Sequence, residues 1–310
     1  MDFVKKEKPY FTANDFYRAR FGHKIAKIPL NGGFTCPNRD GTLSWDGCIF
    51  CSEKGSGDFA GDPGESLGVQ YARSLEVLHK KWPGCLTIPY FQANTNTYAP
   101  LSRLKKLYEE AINLSDEVVG LSIATRPDVL PDDVVEYLGE LRQRTFLTVE
   151  LGLQSIHAST ASFINRQHSL ESFVDAVAKL RKKDIHVICH IINGLPGETP
   201  DMMLDTIRFL NKQDIQGIKI HMLYVMKNTR LADLYEKGEI TMMSRSDYIE
   251  TTADQIELLR PDIIIYRLTG DSPRKELVAP LWSLKKFTVT NDIDKLLRKR
   301  HSHQGARYEG

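Results

Sequence analysis

The chain has 310 residues, 41% of them hydrophobic, with 41 lysines and arginines against 40 aspartates and glutamates. That length allows one large domain or two ordinary ones and a substantial buried core. A formal net charge of +1 neither demands nor excludes a nucleic-acid partner, and no run approaches the roughly 20 apolar residues of a membrane span.

Charged Asp2, Lys5, Lys6, Glu7 and Lys8 follow Met1 where a signal segment would be apolar, so a cytoplasmic location is expected. Residues 24–30 (K-I-A-K-I-P-L) read as a strand leading into a cysteine-rich loop. Residues 55–64 are rich in Gly and Asp and read as an irregular loop. Residues 66–81 carry Leu67, Tyr71, Leu75 and Leu78 at near-helical spacing. Residues 86–92 are a strand whose middle is weakened by Pro89, and residues 101–114 a helix with Leu104, Leu107, Tyr108 and Ile112 on one face.

A strand over 118–124, a helix over 131–144 with Pro131 in its first turn, and a strand over 146–153 follow. The alternation repeats with a helix over 170–183, a strand over 185–192, and a helix capped by Thr199 that starts at Pro200 and runs to Lys212. A strand over 217–224, a helix over 244–259 stopped by Pro261, and a strand over 263–268 complete the pattern. Strands alternating with helices predict a parallel sheet with right-handed crossovers. About six repeats over roughly 200 residues fit an α/β partial (β/α)6 TIM barrel, with a doubly wound open sheet as the alternative. The expected organisation is an N-terminal extension over 1–23, a core with C-terminal elaboration over 24–285, and a basic C-terminal tail over 286–310 that frays after the 295–301 segment.

Three of the five cysteines, Cys36, Cys48 and Cys51, fall at spacing C-x11-C-x2-C among turn-forming residues such as Pro37, Asn38, Gly41 and Gly47. Three thiolates without a nearby histidine suit a soft metal or an iron–sulfur cluster, and leave one coordination position open. Zinc would need a fourth ligand from His23 or the distant Cys85 or Cys189. Disulfides would need an oxidising compartment and leave one cysteine over. In a parallel barrel the chemistry lies beyond the C-terminal strand ends, and the cysteine loop follows the first strand. The polar loops 92–98, 125–128, 150–155 and 193–198 also follow strands and would converge on the same mouth.

These stretches carry a resemblance. The chain is similar to the radical SAM superfamily in the branch of the Elongator catalytic subunit, and more closely to the YhcC/YtqA family. The carriers are N-G-G-F-T-C-P-N-R-D-G-T with G-C-I-F-C, Y-F-Q-A-N-T-N-T-Y, A-T-R-P-D, V-E-L-G-L-Q-S, I-N-R-Q-H, H-I-I-N-G-L-P-G-E and R-L-T-G-D, spread over roughly residues 8–285. The spacing departs from the superfamily's more familiar C-x3-C-x2-C and agrees with this branch. The resemblance implies a [4Fe-4S] cluster on Cys36, Cys48 and Cys51. S-adenosylmethionine would chelate the open iron and be cleaved to methionine and a 5′-deoxyadenosyl radical, while the protein supplies position and water exclusion.

On that resemblance, Phe50 would pack by the cluster and adenine, or else simply fill core. Gln92, Asn94, Thr95 and Asn96 would offer amides and hydroxyls to the methionine amino group, although the common Gly-Gly-Glu is absent. Arg126 would pair with the methionine carboxylate, or else with Asp128. Glu150 and Gln154 would face the mouth toward cofactor amino or ribose groups, with Leu151 and Leu153 on the opposite side. Ile192, Asn193 and Gly194 would form an adenine shelf, unless Gly194 and Gly197 are ordinary turn glycines. Arg166, His168, Lys219 and Tyr224 are substrate-side candidates. His190 and His221 read as core histidines with satisfied hydrogen bonds, and Cys85 and Cys189 as small apolar residues.

The Elongator resemblance points to transfer RNA, and the nearer family to the carboxymethylaminomethyl side chain of wobble uridine on the route to methylaminomethyl-uridine. The chain is too short after its barrel for Elongator's acetyltransferase domain. The expected partners are tRNA, an electron donor such as flavodoxin or ferredoxin, and a downstream methyltransferase. The basic 295–301 segment, Lys285, Lys286 and the N-terminal lysines would contact RNA phosphate, or else form a solvated terminus. The alternatives are radical chemistry on a small metabolite and a non-enzymatic Fe-S or zinc RNA-binding adaptor.

Overall fold

A computed structural model describes residues 7–55 and 57–310; Lys5 and Lys6 lie outside them. The chain opens with helix α1 (Ala13–Phe21), started by a reciprocal capping box between Thr12 and Asp15 and stopped by the left-handed Gly22. Strand β1 (Ile25–Leu30) leads into the cysteine loop. The repeats α2 (Leu67–Lys81), β2 (Leu86–Phe91), α3 (Leu101–Ile112), β3 (Gly120–Thr125), α4 (Asp132–Arg142) and β4 (Phe146–Gln154) follow. Then come α5 (Ala158–Phe163), α6 (Leu170–Lys182), β5 (His186–Asn193), α7 (Pro200–Asn211) and β6 (Gly217–Met222). The last part holds β7 (Val225–Met226), α8 (Arg230–Glu236), α9 (Arg245–Leu258), β8 (Ile264–Arg267), β9 (Leu277–Ala279) and α10 (Lys286–Lys299).

Strands β1–β6 and β8 lie side by side in chain order, every neighbouring pair parallel, forming a curled half-barrel. This is the partial barrel expected from the alternation, with the late strand joined as a seventh. Pro89 is tolerated because the β2–β3 ladder is interrupted there: it pairs at Tyr90 and Phe91, and again only at the isolated Thr87–Val118 bridge. A residue without an N–H fits such a gap. Pro131 occupies the N-cap of α4 rather than its first turn.

One face of each helix seals the outside of the sheet. Leu104 and Tyr108 of α3, Leu138 and Leu141 of α4, Phe173 and Leu180 of α6, and Ile207 and Leu210 of α7 join one core with outward strand residues such as Leu121, Val149 and Leu151. Each fully buried side chain of this size stabilises the fold by about 1.5–3 kcal/mol relative to exposure. At the N-terminal end of the barrel, Tyr17 of α1 packs with Ile25, Ile88 and Phe146, and Phe16, Phe21 and Tyr266 pack against them. This aromatic cluster covers the bottom of the barrel, and Tyr17 and Tyr266 form the lower wall of its interior cavity.

The expected frayed basic tail is corrected. Residues 286–299 form α10, whose Val289, Ile293 and Leu297 are buried in the main core. Beyond it, the buried Gln304 accepts from the Phe11 N–H and donates to the carbonyls of Arg260 and Ile263, tying the two ends of the chain together. Arg300 is spent on Glu250, Asp254 and Glu257, and Lys286 on Asp271. Much of the positive charge assigned to RNA phosphate is therefore internally neutralised.

Candidate active site

The cysteine loop is a set of turns pinned from both sides. Its own bonds are Arg39 N–H to Cys36 O (2.8 Å), Gly47 N–H to Asn38 O (2.7 Å) and Cys51 N–H to Cys48 O (3.0 Å). Asn38 donates its amide to Asn165 O (2.7 Å), and Asn165 donates back to Gly47 O (2.7 Å). Asn165 does this from the left-handed region, at φ 53°, which Asn tolerates better than most residues. Ile49 sits in a small apolar cluster with Ile164, Leu195, Leu223 and Leu231, its N–H bonded to Ile164 O and its carbonyl to Leu231 N–H. On the other side Thr95 N–H reaches Thr35 O (3.1 Å) and the Asn94 amide reaches Phe34 O (3.1 Å).

All five cysteines are free, and Cys36, Cys48 and Cys51 line one cavity of about 510 Å³. The Cys51 thiol pushes the Cys48 thiol down to about 7; Arg126, the Asn38 amide (3.6 Å from the sulfur) and Arg166 act in the same direction, against burial. Cys85 and Cys189 are buried elsewhere, as expected of small apolar residues. Among the described residues no three His, Cys, Asp or Glu side chains are gathered for a single metal ion. Three soft thiols spread around a cavity, with guanidinium groups nearby, fit the larger anionic iron–sulfur cluster better than a mononuclear zinc.

Most of the anticipated residues meet at this cavity: Phe50, Gln92, Asn94, Thr95, Arg126, Glu150, Gln154, Arg166, His168, Ile192, Lys219 and Tyr224 all line it. A bulge in the β4–β5 pairing between Gly152 and Gln154, with Gln154 at φ 63°, turns the end of β4 toward the mouth. Leu151 and Leu153 point into the outer core, as the alternation requires.

Several side chains are differently engaged than anticipated. Asn96 is buried and donates to Phe91 O (3.1 Å) and Ala124 O (2.7 Å), which fixes the loop after β2 and takes its amide away from the cavity. Asn193 forms an amide pair with Gln255 of α9 (2.7 and 2.9 Å), and Gly194, at φ 81°, is a turn glycine whose Cβ would stand 3.0 Å from Met243. Of the proposed adenine shelf, only Ile192 lines the cavity. The Arg126 fork is closed on Asp128, at 2.9 and 2.7 Å, and its third contact is Arg166 O. Arg126 thus has the internal pair with Asp128 while still lining the cavity. Arg166 donates to the carbonyls of Leu153, Ser155 and His168, and His168 contacts Gly152 O (3.1 Å). Burial, with Arg166 and Arg126 adjacent, pushes His168 down to about 3, so it is neutral at pH 7. Both residues brace the end of β4.

The polar floor of the cavity was largely missed. Glu150, fully buried, accepts from Lys27 (2.5 Å) and Ser122 (3.0 Å) on one oxygen. Its other oxygen accepts from Tyr90 (2.8 Å), His190 (2.6 Å) and Lys219. Despite burial, Lys219, Lys27 and His190 hold the Glu150 carboxyl well below the usual range. Lys219 is pushed down to about 7 by burial and by the Lys27 and Arg267 charges, against the pull of Glu150. Burial and Lys219 push His190 down to about 4. His221 stacks on His190 (ring centroids 5.6 Å apart), and burial, Arg267 and His190 keep it neutral. His190 is hydrogen-bonded, as expected, but to a cavity carboxylate; His221 departs from the expectation, lining the cavity with its Nε2 unpartnered. The available signal was parity: Lys27, Tyr90, Ser122, Glu150, His190 and Lys219 occupy inward positions on six strands, where a purely structural core would be apolar.

Comparison with known proteins adds the following. Residues 34–210 match the family described as the Radical SAM superfamily, and residues 215–299 match the Radical_SAM C-terminal domain. YtqA of Bacillus subtilis (strain 168) is 50% identical over 299 residues, covering 96% of this chain and 92% of that protein. YhcC of Escherichia coli (strain K12) is 33% identical over 288 residues, covering 93% and 91%. A shorter match, 26% identical over 186 residues, covers 59% of this chain and 39% of the tRNA uridine(34) acetyltransferase of Dehalococcoides mccartyi (strain CBDB1). The archaeal Methanocaldococcus infernus Elp3 structure shares the fold at TM-score 0.68 and 18% identity, covering 91% of this chain and 64% of that one.

Proposed function

Because the chain belongs to the radical SAM superfamily, we propose that it is an enzyme whose substrate is the carboxymethylaminomethyl side chain of tRNA wobble uridine. The observation that carries this reading is the opening of three free thiols from one loop onto a closed-bottom cavity with a charged floor. Cys36, Cys48 and Cys51 would hold a [4Fe-4S] cluster, with S-adenosylmethionine beside it. When bound, this pair supplies an electron and a 5′-deoxyadenosyl radical able to abstract hydrogen from carbon.

The chain's own residues hold and shield. Arg126 and Arg166 place positive charge beside Cys48 and favour its ionised form. Asn38 and Asn165 fix the loop, and Phe50 covers it from within the cavity. Gln92, Asn94, Thr95 and Gln154 line the same cavity and would be the polar groups nearest a bound cofactor. The aromatic cluster shields the cavity from bulk water below. At the floor, Glu150 orients the Lys219 ammonium and the His190 N–H toward itself, and a lysine near pH 7 can hold or release a proton to substrate.

The wobble-uridine reading is supported by partial similarity to a tRNA uridine(34) acetyltransferase and by the Elp3-like fold. A flavodoxin or ferredoxin would supply the electron, and a methyltransferase would complete the product. Among the described residues no helix is long and apolar enough to cross a membrane; a cytoplasmic location belongs to this proposal. The test is anaerobic turnover of the cluster-loaded protein with tRNA carrying carboxymethylaminomethyl-uridine. The expected result is formation of 5′-deoxyadenosine that depends on this tRNA and accompanies loss of the nucleoside. Release unaffected by tRNA, with the nucleoside intact, would contradict the substrate and favour a small metabolite.

A further inference from the structure

The Glu150 network leaves positive charge over on one side of the cavity. Glu150 faces two ammonium groups, Lys27 and Lys219, and therefore balances only one of them. Arg267 sits across the β6–β8 pairing from Lys219 and lines the same cavity. Among the described residues, the one acid within 4 Å of its guanidinium is Asp271, at 3.9 Å. That carboxylate is held instead by Lys286, at 2.9 and 2.8 Å. The Arg267 fork thus stands at a cavity wall without a close counter-charge. It begins the R-L-T-G-D stretch, which the cluster chemistry does not use.

A second observation points to the same place. Nε2 of His221 is buried without a hydrogen-bond partner, while the ring lines the cavity on the strand between Arg267 and His190. A buried polar atom of this kind calls for a partner. A neutral imidazole can donate from Nε2, the guanidinium donates from two parallel N–H groups, and the ammonium of Lys219 has one donor beyond those given to Glu150 and Tyr90. Three donors of positive or neutral character, facing carboxylates that are already engaged, Glu150 by Lys27, Lys219 and His190 and Asp271 by Lys286, match a small planar anion.

We propose that Arg267, His221 and Lys219 form a carboxylate-binding subsite on the β6–β8 side of the cavity. The assignment of the carboxylate to the substrate rests on the wobble-uridine reading: it would be the terminal group of the carboxymethylaminomethyl side chain. The same chemistry could be offered by the carboxylate of S-adenosylmethionine. A bound anion would also oppose the burial and the Lys27 and Arg267 charges that hold the Lys219 ammonium down. The subsite would set specificity, admitting the carboxylated side chain in preference to its bare aminomethyl counterpart.

Two measurements on the cluster-loaded protein separate the sources. In the first, acetate is titrated while the His221 ring nitrogens are followed by NMR. A saturable shift that Arg267→Gln weakens at least tenfold supports the subsite; no saturable shift, or one that Arg267→Gln leaves unchanged, overturns it. In the second, affinity is measured for one tRNA carrying either carboxymethylaminomethyl- or aminomethyl-uridine. Wild type should prefer the carboxylated form by about tenfold to a hundredfold, the range of a charge-assisted pair, and Arg267→Gln should bind both forms alike. A preference that survives in Arg267→Gln, or a variant that loses S-adenosylmethionine affinity instead, overturns the substrate assignment. If wild type binds neither tRNA while acetate still shifts His221, the wobble-uridine reading fails and the subsite stands. Arg267 is more than one-third exposed and only loosely paired, so the variant should fold; Arg267→Lys should keep part of the preference.

Discussion

Replacing Glu150 with Gln would remove the only carboxylate from a buried group of two lysines, a histidine, a tyrosine and a serine. The shape is preserved, so the effect is electrostatic. Lys27 and Lys219 are then left with no opposing charge at the floor of the barrel. Breaking a buried pair from one side costs about 3–5 kcal/mol, because the surviving ion stays desolvated. For a chain of this length, with about 2.1 cal/mol/K of unfolding entropy per residue, that is a drop in Tm of roughly 5–8 °C. The cost has a characteristic pH dependence. Lys219 is already lowered to about 7 in the folded protein, and without Glu150 it would fall further, while its unfolded value remains near 10.5. Below the unfolded value the unfolded state binds more protons, so through Lys219 stability rises with pH in both proteins. Lys27, lowered by burial but raised overall by Glu150 in the wild type, would fall in the variant and add such a rise there alone, so part of the loss is recovered at pH 9. Chemical unfolding of wild type and Glu150→Gln at pH 7 and pH 9 measures both effects. The double variant Glu150→Gln with Lys219→Met should cost less than the two single changes added together. A loss below about 1 kcal/mol at pH 7, or one equal at both pH values, would refute the buried-charge account.

Other consequences follow from the same structure. His168, His186 and His190 are held at about 3, 3 and 4, chiefly by burial, against about 6.5 unfolded. Their contribution is fully present above pH 6.5 and is lost as pH falls, so unfolding at pH 5.5 should show a loss of about 1 kcal/mol for each; a flat profile from pH 7 to 5.5 would contradict their burial as neutral rings. Asn165→Ala removes the bond to Gly47 O and places alanine at φ 53°. It should cost about 1–3 kcal/mol and speed iron loss to a chelator, followed by visible absorbance. Arg300→Gln should lower stability by about 1 kcal/mol through Glu250, Asp254 and Glu257. The exposed Lys295 and Lys299 can be changed to Gln with no measurable effect on Tm; the reverse ranking would revive the solvated-tail picture of this segment.

The parallel half-barrel was legible because hydrophobic period and caps agreed. Thr199 with Pro200 stands where the sequence puts it, its side chain accepting from Met202 N–H; Ser244, read as the first helical residue, is the cap of a helix that starts at Arg245. The cysteine loop was legible because turn residues and thiols at fixed spacing have few other uses. Less legible was the direction of a side chain at a strand end. Asn193 and Arg126 are both polar and close to the mouth, yet one turns to Gln255 and the other to Asp128. Local sequence cannot distinguish these partners from a cofactor. The buried floor was missed because its members come from six strands and look ordinary one at a time. His190 gains its meaning only from Glu150, 40 positions away, and Lys27 from the same carboxylate, 123 positions away. The C-terminal segment was misjudged because its net charge was read without the acids of α9 that neutralise it.

The central claim is tested most directly by nucleoside mass spectrometry of tRNA from cells lacking the gene, complemented with wild type or with Cys36→Ala. The account predicts that carboxymethylaminomethyl-uridine accumulates in the deletion and that only the wild type restores its downstream product. An unchanged nucleoside profile in the deletion, or full restoration by Cys36→Ala, would contradict it.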